Sequence, residues 1–214
     1  MTLRSPIQKA KDFITFPLRA VTLFVNDKWS LSSLKSERFD YVSREVKGYC
    51  LDVGCGRGNR FVKEYLKGNG LGIDVFEYEG LTKENIVPDI THFPFADNSF
   101  DSVTFIANLH HVPKSLRDIE LAEAYRCLKP KGNIIVTVVN PVAGVLVHKL
   151  VEFYSQAFKV KIDEDCDRGI HEEEGYYVND SEVLHRLAKA GFENLSKKYF
   201  ITQWGLNHLV VGWK

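Results

Sequence analysis

The chain has 214 residues, 44% hydrophobic and 26% charged, which are the proportions of an ordinary globular protein. Lys and Arg number 28 and Asp and Glu number 28, so the chain lacks the basic excess of a dedicated nucleic-acid-binding protein, and small-molecule partners are favoured. The four cysteines form neither a CxxC pair nor a disulfide framework, which indicates reduced thiols and a cytoplasmic location. No Pro-, Gly- or Ser-rich linker divides the chain, so residues 1–214 should form one domain.

Basic residues precede an apolar run near the start of the sequence, from Phe13 to Val25. Thirteen residues are too few to span a bilayer as a helix, and Pro17 and Arg19 interrupt the run. We therefore expect a helix that packs on the domain, while a helix lying on a membrane surface, as a peripheral contact, is the alternative. Together with a second helix at residues 34–47, the segment 1–47 would form a helical lid.

From Tyr49 onwards, short apolar strands alternate with helices. The first strand, Tyr49–Val53, enters a glycine-rich turn at residues 54–58, and a helix follows the turn. Later strands are predicted at residues 71–75, 86–88, 102–107 and 134–139. In the helix between the last two, an apolar stripe should face the core: Leu116, Ile119, Ala122 and Tyr125. This alternation is typical of a sheet of parallel strands joined by helices.

The last third of the sequence departs from this alternation. Residues 141–178 end in polar sequence and predict an inserted cap. A helix begins near Asn179 and ends before Gly191, and two strands at 192–202 and 208–213 then form a hairpin. The whole pattern predicts a doubly wound, mainly parallel α/β sheet of seven strands with an antiparallel C-terminal hairpin. Residues 48–140 would be its ligand-binding core, and residues 179–214 would supply the last helix and the hairpin.

The glycine-rich turn narrows the choice of nucleotide ligand. A triphosphate-binding loop needs GxxxxGK, which is missing here, and the dinucleotide fingerprint needs Gly or Ala where this chain has Asn59. Instead, Asp52 precedes the turn and Asp74 ends the next strand. A carboxylate can accept hydrogen bonds from both hydroxyls of a ribose, and a second one favours a positively charged ligand. S-adenosylmethionine has this combination of an adenosine, an ammonium group and a sulfonium, without phosphates.

Four segments resemble the class I S-adenosylmethionine-dependent methyltransferases, especially their type 11 branch. They are LDVGCGRGN at 51–59, GIDV at 72–75, DITHFPFADNSFD at 89–101 and LHHVP at 109–113. The resemblance covers residues 49–140. It implies a Rossmann-like fold, S-adenosylmethionine as the cofactor, and an enzyme that transfers a methyl group to a small-molecule acceptor by in-line displacement. A lipid-like or glycosylated acceptor is expected if the lid closes over the site.

The resemblance also implies a role for each matching residue. Gly54, Cys55 and Gly56 would run beside the methionine part of the cofactor. Asp52 would orient the turn and the ammonium group, and Asp74 would hold the ribose.

The remaining implied contacts lie towards the base and the reacting methyl group. Val75 would pack on the adenine, Asp89 would accept from its exocyclic amine, and Ile90 would present a backbone amide to the ring. Phe105 stands where the family often has Ser or Asn, so it would contact the cofactor only through its backbone. His111, after the fourth strand, is the candidate general base.

Two other functions stay open. An RNA methyltransferase is disfavoured by the balanced charge and by Ile106–Leu109, which replaces the Asn/Asp-Pro-Pro-aromatic motif of base-amine methyltransferases. The other open function is a regulator that binds S-adenosylmethionine without catalysis. Methyl transfer requires no obligatory catalytic residue, so the sequence does not distinguish a regulator from an enzyme. The acidic residues of the cap match part of a calcium-loop pattern at Asp163, Asp165, Asp167 and Glu174. The loop requires glycine where this chain has Arg168, so no metal is expected.

Overall fold

The computed structural model describes residues 4–21, 27–139 and 178–214. In these residues one sheet of six strands forms, in the order β2-β1-β3-β4-β6-β5. The strands are β1 (Cys50–Val53), β2 (Gly70–Ile73), β3 (Phe100–Phe105), β4 (Leu128–Val139), β5 (Glu193–Tyr199) and β6 (Asn207–Trp213). Strands β1 to β4 run parallel, whereas β6 runs antiparallel to both β4 and β5. The mainly parallel sheet and its C-terminal antiparallel hairpin are therefore confirmed.

The prediction of seven strands is wrong for the described residues. The strand expected at residues 86–88 is reduced to a single parallel bridge between Asp74 and Ile86, beside the edge strand β2. Two backbone hydrogen bonds, of 2.8 and 2.9 Å, join Asp74 to the residues on either side of Ile86. The Phe76 amide, which would make the next hydrogen bond of the ladder, donates instead to the Asp74 carboxylate at 3.1 Å, so the pairing stops after one residue.

Helices cover both faces of the sheet. They are α1 (Pro6–Ile14), α2 (Phe16–Val21), α3 (Leu34–Ser43), α4 (Arg117–Cys127) and α5 (Asp180–Lys189). One core cluster joins α4 and α5 to a face of the sheet through Leu121, Val183 and Leu187. A second cluster joins α3 to the opposite face, where Phe39 and Val42 are buried. This three-layer arrangement is a doubly wound α/β fold, the Rossmann-like class expected from the sequence.

The N-terminal helices pack at the carboxyl edge of the sheet, against the turn that joins β5 to β6. The Trp204 ring in this turn lies 5.5 Å from the ring of Phe16, and its indole N–H donates to the Phe13 carbonyl at 2.9 Å. Within the described ranges, no helix has the length and apolar character needed to cross a membrane. The expected cap at 141–178 lies outside the described residues apart from Val178, and so does the acidic stretch compared with a calcium loop.

Candidate functional site

The glycine-rich turn after β1 is tied directly to the end of β2. Gly54, Gly56 and Gly58 all have φ between 63 and 74°, the left-handed region that a side chain disfavours. The amides of Gly54 and Cys55 donate to the Ile73 carbonyl at 2.8 and 3.0 Å. A Cβ atom on Gly54 would overlap the side-chain amide of Asn108, so only glycine lets the chain pass here. The turn thus holds bare backbone at the carboxyl ends of neighbouring parallel strands, where open α/β sheets bind ligands.

Asp74 closes the gap between this turn and β2. Its side chain is buried, and its carboxylate accepts from the amides of Gly56 at 2.9 Å and Phe76 at 3.1 Å. The sequence prediction that Asp74 and the glycine turn form one site is therefore matched by their positions.

A cleft of about 260 Å³ opens beside Asp74. Most of its lining is apolar, and the polar side chains that line it are Asp74, Asn108, His111 and Glu120. No Lys or Arg belongs to the lining in the part of the chain that the structure describes. Because phosphate sites rely on basic side chains or on a helix N-terminus, this composition suits a nucleoside without phosphates.

Asp52 lies beneath the turn and does not line the cleft. It is 2% exposed, and its Oδ1 accepts from the Thr104 hydroxyl at 2.7 Å. Burial, with a smaller contribution from the negative charge of Asp74, raises the pKa of Asp52 to about 7, while the Thr104 hydrogen bond opposes the shift. The structure thus places Asp52 in β1, bonded to Thr104 and outside the cleft lining, with a carboxyl group that is only partly ionised at neutral pH.

Cys55 and Phe105 do not line the cleft either. Burial is the main cause that raises the pKa of the Cys55 thiol far above its usual value, so the side chain stays a neutral thiol and supplies no nucleophile. Phe105 is fully buried in the core and pairs in register with Val53. Neither side chain therefore reaches a ligand in the cleft, and the backbone contact expected of Phe105 stays a prediction.

The residues expected to surround the base divide into two groups. Val75 and Ile90 line the cleft, and Phe76, which the sequence did not single out, lines it beside them. Asp89 does not line it. Its Oδ1 accepts from the Thr91 amide at 2.9 Å and from the Thr91 hydroxyl at 2.5 Å, and these bonds lower its pKa. The structure therefore does not bring the Asp89 carboxylate together with the other predicted base contacts.

His111 reaches the cleft from a short helical turn, Leu109–His111, that follows β3. Its ring centroid lies 4.0 Å from that of His110. Its position at the carboxyl edge agrees with the sequence prediction of a candidate base.

The sequence prediction missed two polar residues of the cleft, Asn108 and Glu120. Asn108 lies in the loop after β3, three residues beyond Phe105, and its position at a strand's carboxyl end was a usable signal. Glu120 lies inside α4, is 1% exposed, and has a carboxyl oxygen, Oε2, without a hydrogen-bond partner. Nothing in the local sequence marks this glutamate as buried.

The known proteins that this chain resembles include methyltransferases. Residues 51–136 match a family model described as a methyltransferase domain, of type 11. The ubiquinone/menaquinone biosynthesis C-methyltransferase UbiE of Dinoroseobacter shibae is 26% identical over 205 residues, covering 84% of this chain and 79% of that protein.

Two solved structures show the shared fold. An S-adenosylmethionine-dependent methyltransferase of Thermotoga maritima, described as a possible histamine N-methyltransferase, has a TM-score of 0.59 at 18% identity and covers 96% of this chain and 95% of that one. The didemethyltoxoflavin N1-methyltransferase of Burkholderia thailandensis, solved with S-adenosylhomocysteine, has a TM-score of 0.55 at 17% identity, covering 100% and 92%.

The family-model match, the shared fold and the glycine turn joined to Asp74 together indicate a class I S-adenosylmethionine-dependent methyltransferase. Within this class, residues 51–136 match the type 11 methyltransferase domain. Its cofactor is S-adenosylmethionine.

Proposed function

We propose that this enzyme transfers the methyl group of S-adenosylmethionine to a small, mainly apolar acceptor. The observation that carries the proposal is the cleft at the carboxyl edge of the sheet, where the glycine turn meets the buried Asp74 carboxylate and no Lys or Arg of the described residues lines the wall. The apolar lining and the similarity to a quinone C-methyltransferase support the acceptor class. The buried thiols of Cys50, Cys55 and Cys127 support a reducing, cytoplasmic setting.

Each part of the cofactor is assigned to a different group of residues. We assign the ribose hydroxyls to Asp74 and the faces of the base to Val75 and Ile90, which all line the cleft. The amino-acid part is assigned to the bare backbone of the glycine turn, Gly54–Gly56, of which Gly54 lines the cleft. When bound, S-adenosylmethionine supplies an electrophilic methyl group whose leaving group is a neutral thioether. The protein therefore contributes mainly by holding the acceptor in position and excluding water, and positioning alone supplies about 7 to 11 kcal/mol in favourable cases.

His111 is the proposed proton acceptor for an acceptor molecule that reacts as an alcohol, phenol or activated carbon acid. It lines the cleft at the strand edge, whereas no other histidine of the described residues does. His111→Gln should reduce kcat and remove the acidic limb of its pH profile, while leaving S-adenosylhomocysteine binding within about twofold. An unchanged pH profile would remove His111 from this role.

Transfer of label is the test of the function itself. Purified protein is incubated with methyl-labelled S-adenosylmethionine and fractionated cell extract, and labelled products are identified by mass spectrometry. We expect label in small, organic-soluble metabolites, and none with Asp74→Asn. Label in RNA would instead support a nucleic-acid methyltransferase, and tight binding without any transfer would support a regulator.

The N-terminal helices present an unusual surface beside this edge of the sheet. Two of their charged side chains, Asp12 and Arg19, point inwards, and Asp12 accepts from the Ser32 hydroxyl at 2.8 Å. Several of their apolar side chains face solvent, since Ile7 is 72% and Ile14 74% exposed. Trp204, in the adjoining turn, is 53% exposed. Exposed apolar patches of this kind usually mark a contact surface.

We propose that this surface lies against an anionic lipid bilayer, from which an apolar acceptor could enter. The charges support lipid over a protein partner, because Asp12, the one acidic residue of α1 and α2, is buried while Lys9 and Lys11 are not. The finding modifies the sequence expectation: α1 packs on the domain, but with its polar side.

Vesicle sedimentation tests the lipid contact. The protein should sediment with phosphatidylglycerol-containing vesicles, less at high salt, and little with pure phosphatidylcholine. Ile7→Glu/Ile14→Glu should lose most of this binding, whereas Ile119→Glu, at a residue of α4 that is 44% exposed, should retain it. Equal binding by both variants, or dimerisation of the unaltered protein through this face, would contradict the proposal.

A further inference from the structure

Glu120 is a buried carboxyl group that the function described so far does not use. Its side chain lines the cleft from α4, on the same helix face as Leu116. Burial alone raises its pKa to about 8, and no neighbouring charge contributes to the shift. Its Oε2 atom has no hydrogen-bond partner in the described structure. Because an unpaired buried polar group destabilises a fold, it calls for a physical reason.

The position of Glu120 indicates which part of a ligand it would meet. Two of the other polar side chains of the cleft belong to the glycine turn: Asp74 accepts from the Gly56 amide, and Asn108 lies against Gly54. Glu120 lines the cleft together with Val112, Pro113 and Leu116, which are all apolar. It therefore lies in the apolar part of the cleft.

We propose that Glu120 binds the polar edge of the adenine base, pairing with its exocyclic amine and an adjacent ring nitrogen. The inference rests on the proposed S-adenosylmethionine cleft. A neutral carboxyl group offers one donor and one acceptor side by side. Adenine offers the matching pair, an N–H donor next to a ring-nitrogen acceptor. The family resemblance assigns the amine to Asp89, but Asp89 does not line the cleft, and its Oδ1 accepts hydrogen bonds from Thr91.

The pairing makes cofactor affinity depend on pH in a defined direction. Only the protonated carboxyl group can donate to the ring nitrogen, so affinity should fall as pH rises above about 8, by up to about tenfold per unit. The other ionisable side chains that line the cleft are Asp74 and His111. Arg117 and Glu123, on neighbouring turns of α4, are held in ion pairs of their own. Glu120→Gln keeps a donor and an acceptor at every pH, so it should remove this component.

The decisive experiment is calorimetric titration with S-adenosylhomocysteine and with its analogue that carries purine in place of adenine and lacks the amine. In the unaltered protein, loss of the amine should weaken binding by roughly tenfold, the worth of about one hydrogen bond to a buried partner. In Glu120→Leu, the two ligands should bind equally, both weakly. Titration of the ligand's own amino group affects both proteins equally, so the affinity of the unaltered protein is divided by that of Glu120→Gln. This ratio should be high at low pH and fall at high pH.

Stability measurements separate this role from a structural one. Glu120→Leu should unfold at higher urea concentration than the unaltered protein, because it removes a buried unpaired carboxyl. Asp118→Asn, two residues earlier on α4, loses ion pairs with Arg186 and Lys189 outside the cleft and should show the reverse pattern: lower stability and unchanged binding.

Other outcomes would overturn the inference while leaving the proposed function intact. If the unaltered protein binds S-adenosylhomocysteine and Glu120→Leu binds it equally well, Glu120 does not contact the base. The same conclusion follows if Asp89→Ala, rather than Glu120→Leu, abolishes discrimination of the amine. A raised KM for the methyl acceptor with unchanged S-adenosylhomocysteine binding would assign Glu120 to the acceptor instead.

Discussion

Replacing Gly54 with alanine tests whether the glycine turn shapes the cleft. Two costs follow from the structure. The residue has φ +74°, where an alanine costs about 1 to 2 kcal/mol, and the new Cβ overlaps the Asn108 side chain, an overpacking that costs about 1 to 3 kcal/mol. The expected loss in free energy of unfolding is therefore about 2 to 5 kcal/mol. The displaced Asn108 amide should also weaken S-adenosylhomocysteine binding by at least tenfold.

Two further variants separate these costs. Gly54→Ala/Asn108→Ala removes the overlapping atoms, so only the backbone cost of about 1 to 2 kcal/mol should remain. Gly205→Ala, at φ +71° with open space around the new Cβ, carries the same backbone cost away from the cleft and should bind S-adenosylhomocysteine normally. Urea denaturation and calorimetry measure both quantities. If Gly54→Ala is no less stable than Gly205→Ala and binds equally well, the reasoning about the turn is wrong.

Two predictions concern buried charges. Burial raises the pKa of Asp52 from 3.8 to about 7, so between these pH values the folded protein holds a proton that the unfolded chain releases, and the free energy of unfolding should fall as pH rises. In urea denaturation at a series of pH values, Asp52→Asn should flatten this slope. An unchanged slope would exclude the assignment. Arg19 and Glu37 form a fully buried ion pair at 3.1 Å, so Arg19→Leu should lower the free energy of unfolding by about 3 to 5 kcal/mol. The double variant Arg19→Leu/Glu37→Leu should recover much of this loss, because it also removes the unpaired buried carboxyl group. Equal stability of the single and double variants would show that the unpaired carboxyl group is not destabilising.

The parts of the site that the sequence predicted well are encoded locally. The glycine turn follows the apolar run that becomes β1, and His111 lies in the loop after β3, so their place at the carboxyl edge follows from strand direction alone. Asp74 directly follows β2, and parallel pairing of β1 with β2 brings it to the turn. These residues needed no knowledge of distant contacts.

The sequence around Asp89 contains a local signal that this side chain bonds its own turn. A threonine two residues after an aspartate offers the carboxylate an amide and a hydroxyl, the basis of a self-contained turn. That turn competes with any ligand for the same oxygen, and in the structure Thr91 occupies it.

The orientation of α4 could not be obtained from periodicity, and the predicted apolar stripe is wrong. Ile119 is 44% exposed, and the buried face instead carries Leu121, Ala124 and Cys127, with Arg117 and Glu120. Arg117 can be buried because it donates to the Val112 carbonyl and pairs with Glu182, 65 residues away. Distant partners of this kind leave no trace in local sequence, so burial of the charged residues of α4 could not be predicted.

The N-terminal helices follow the same rule. The apolar run suggested that its hydrophobic side would face the domain. In the structure, Arg19 and Asp12 face inwards because Glu37 and Ser32, from a later segment, supply their partners. The choice between the two faces was therefore settled by contacts about 20 residues apart.

A crystal structure of the protein grown with S-adenosylhomocysteine tests the central assignment most directly. The account predicts the ligand in the cleft, with both ribose hydroxyls within hydrogen-bond distance of the Asp74 carboxylate and its amino-acid part beside Gly54–Gly56. An empty cleft at saturating ligand, or a ligand bound elsewhere while Asp74 keeps its hydrogen bonds with the Gly56 and Phe76 amides, would contradict it.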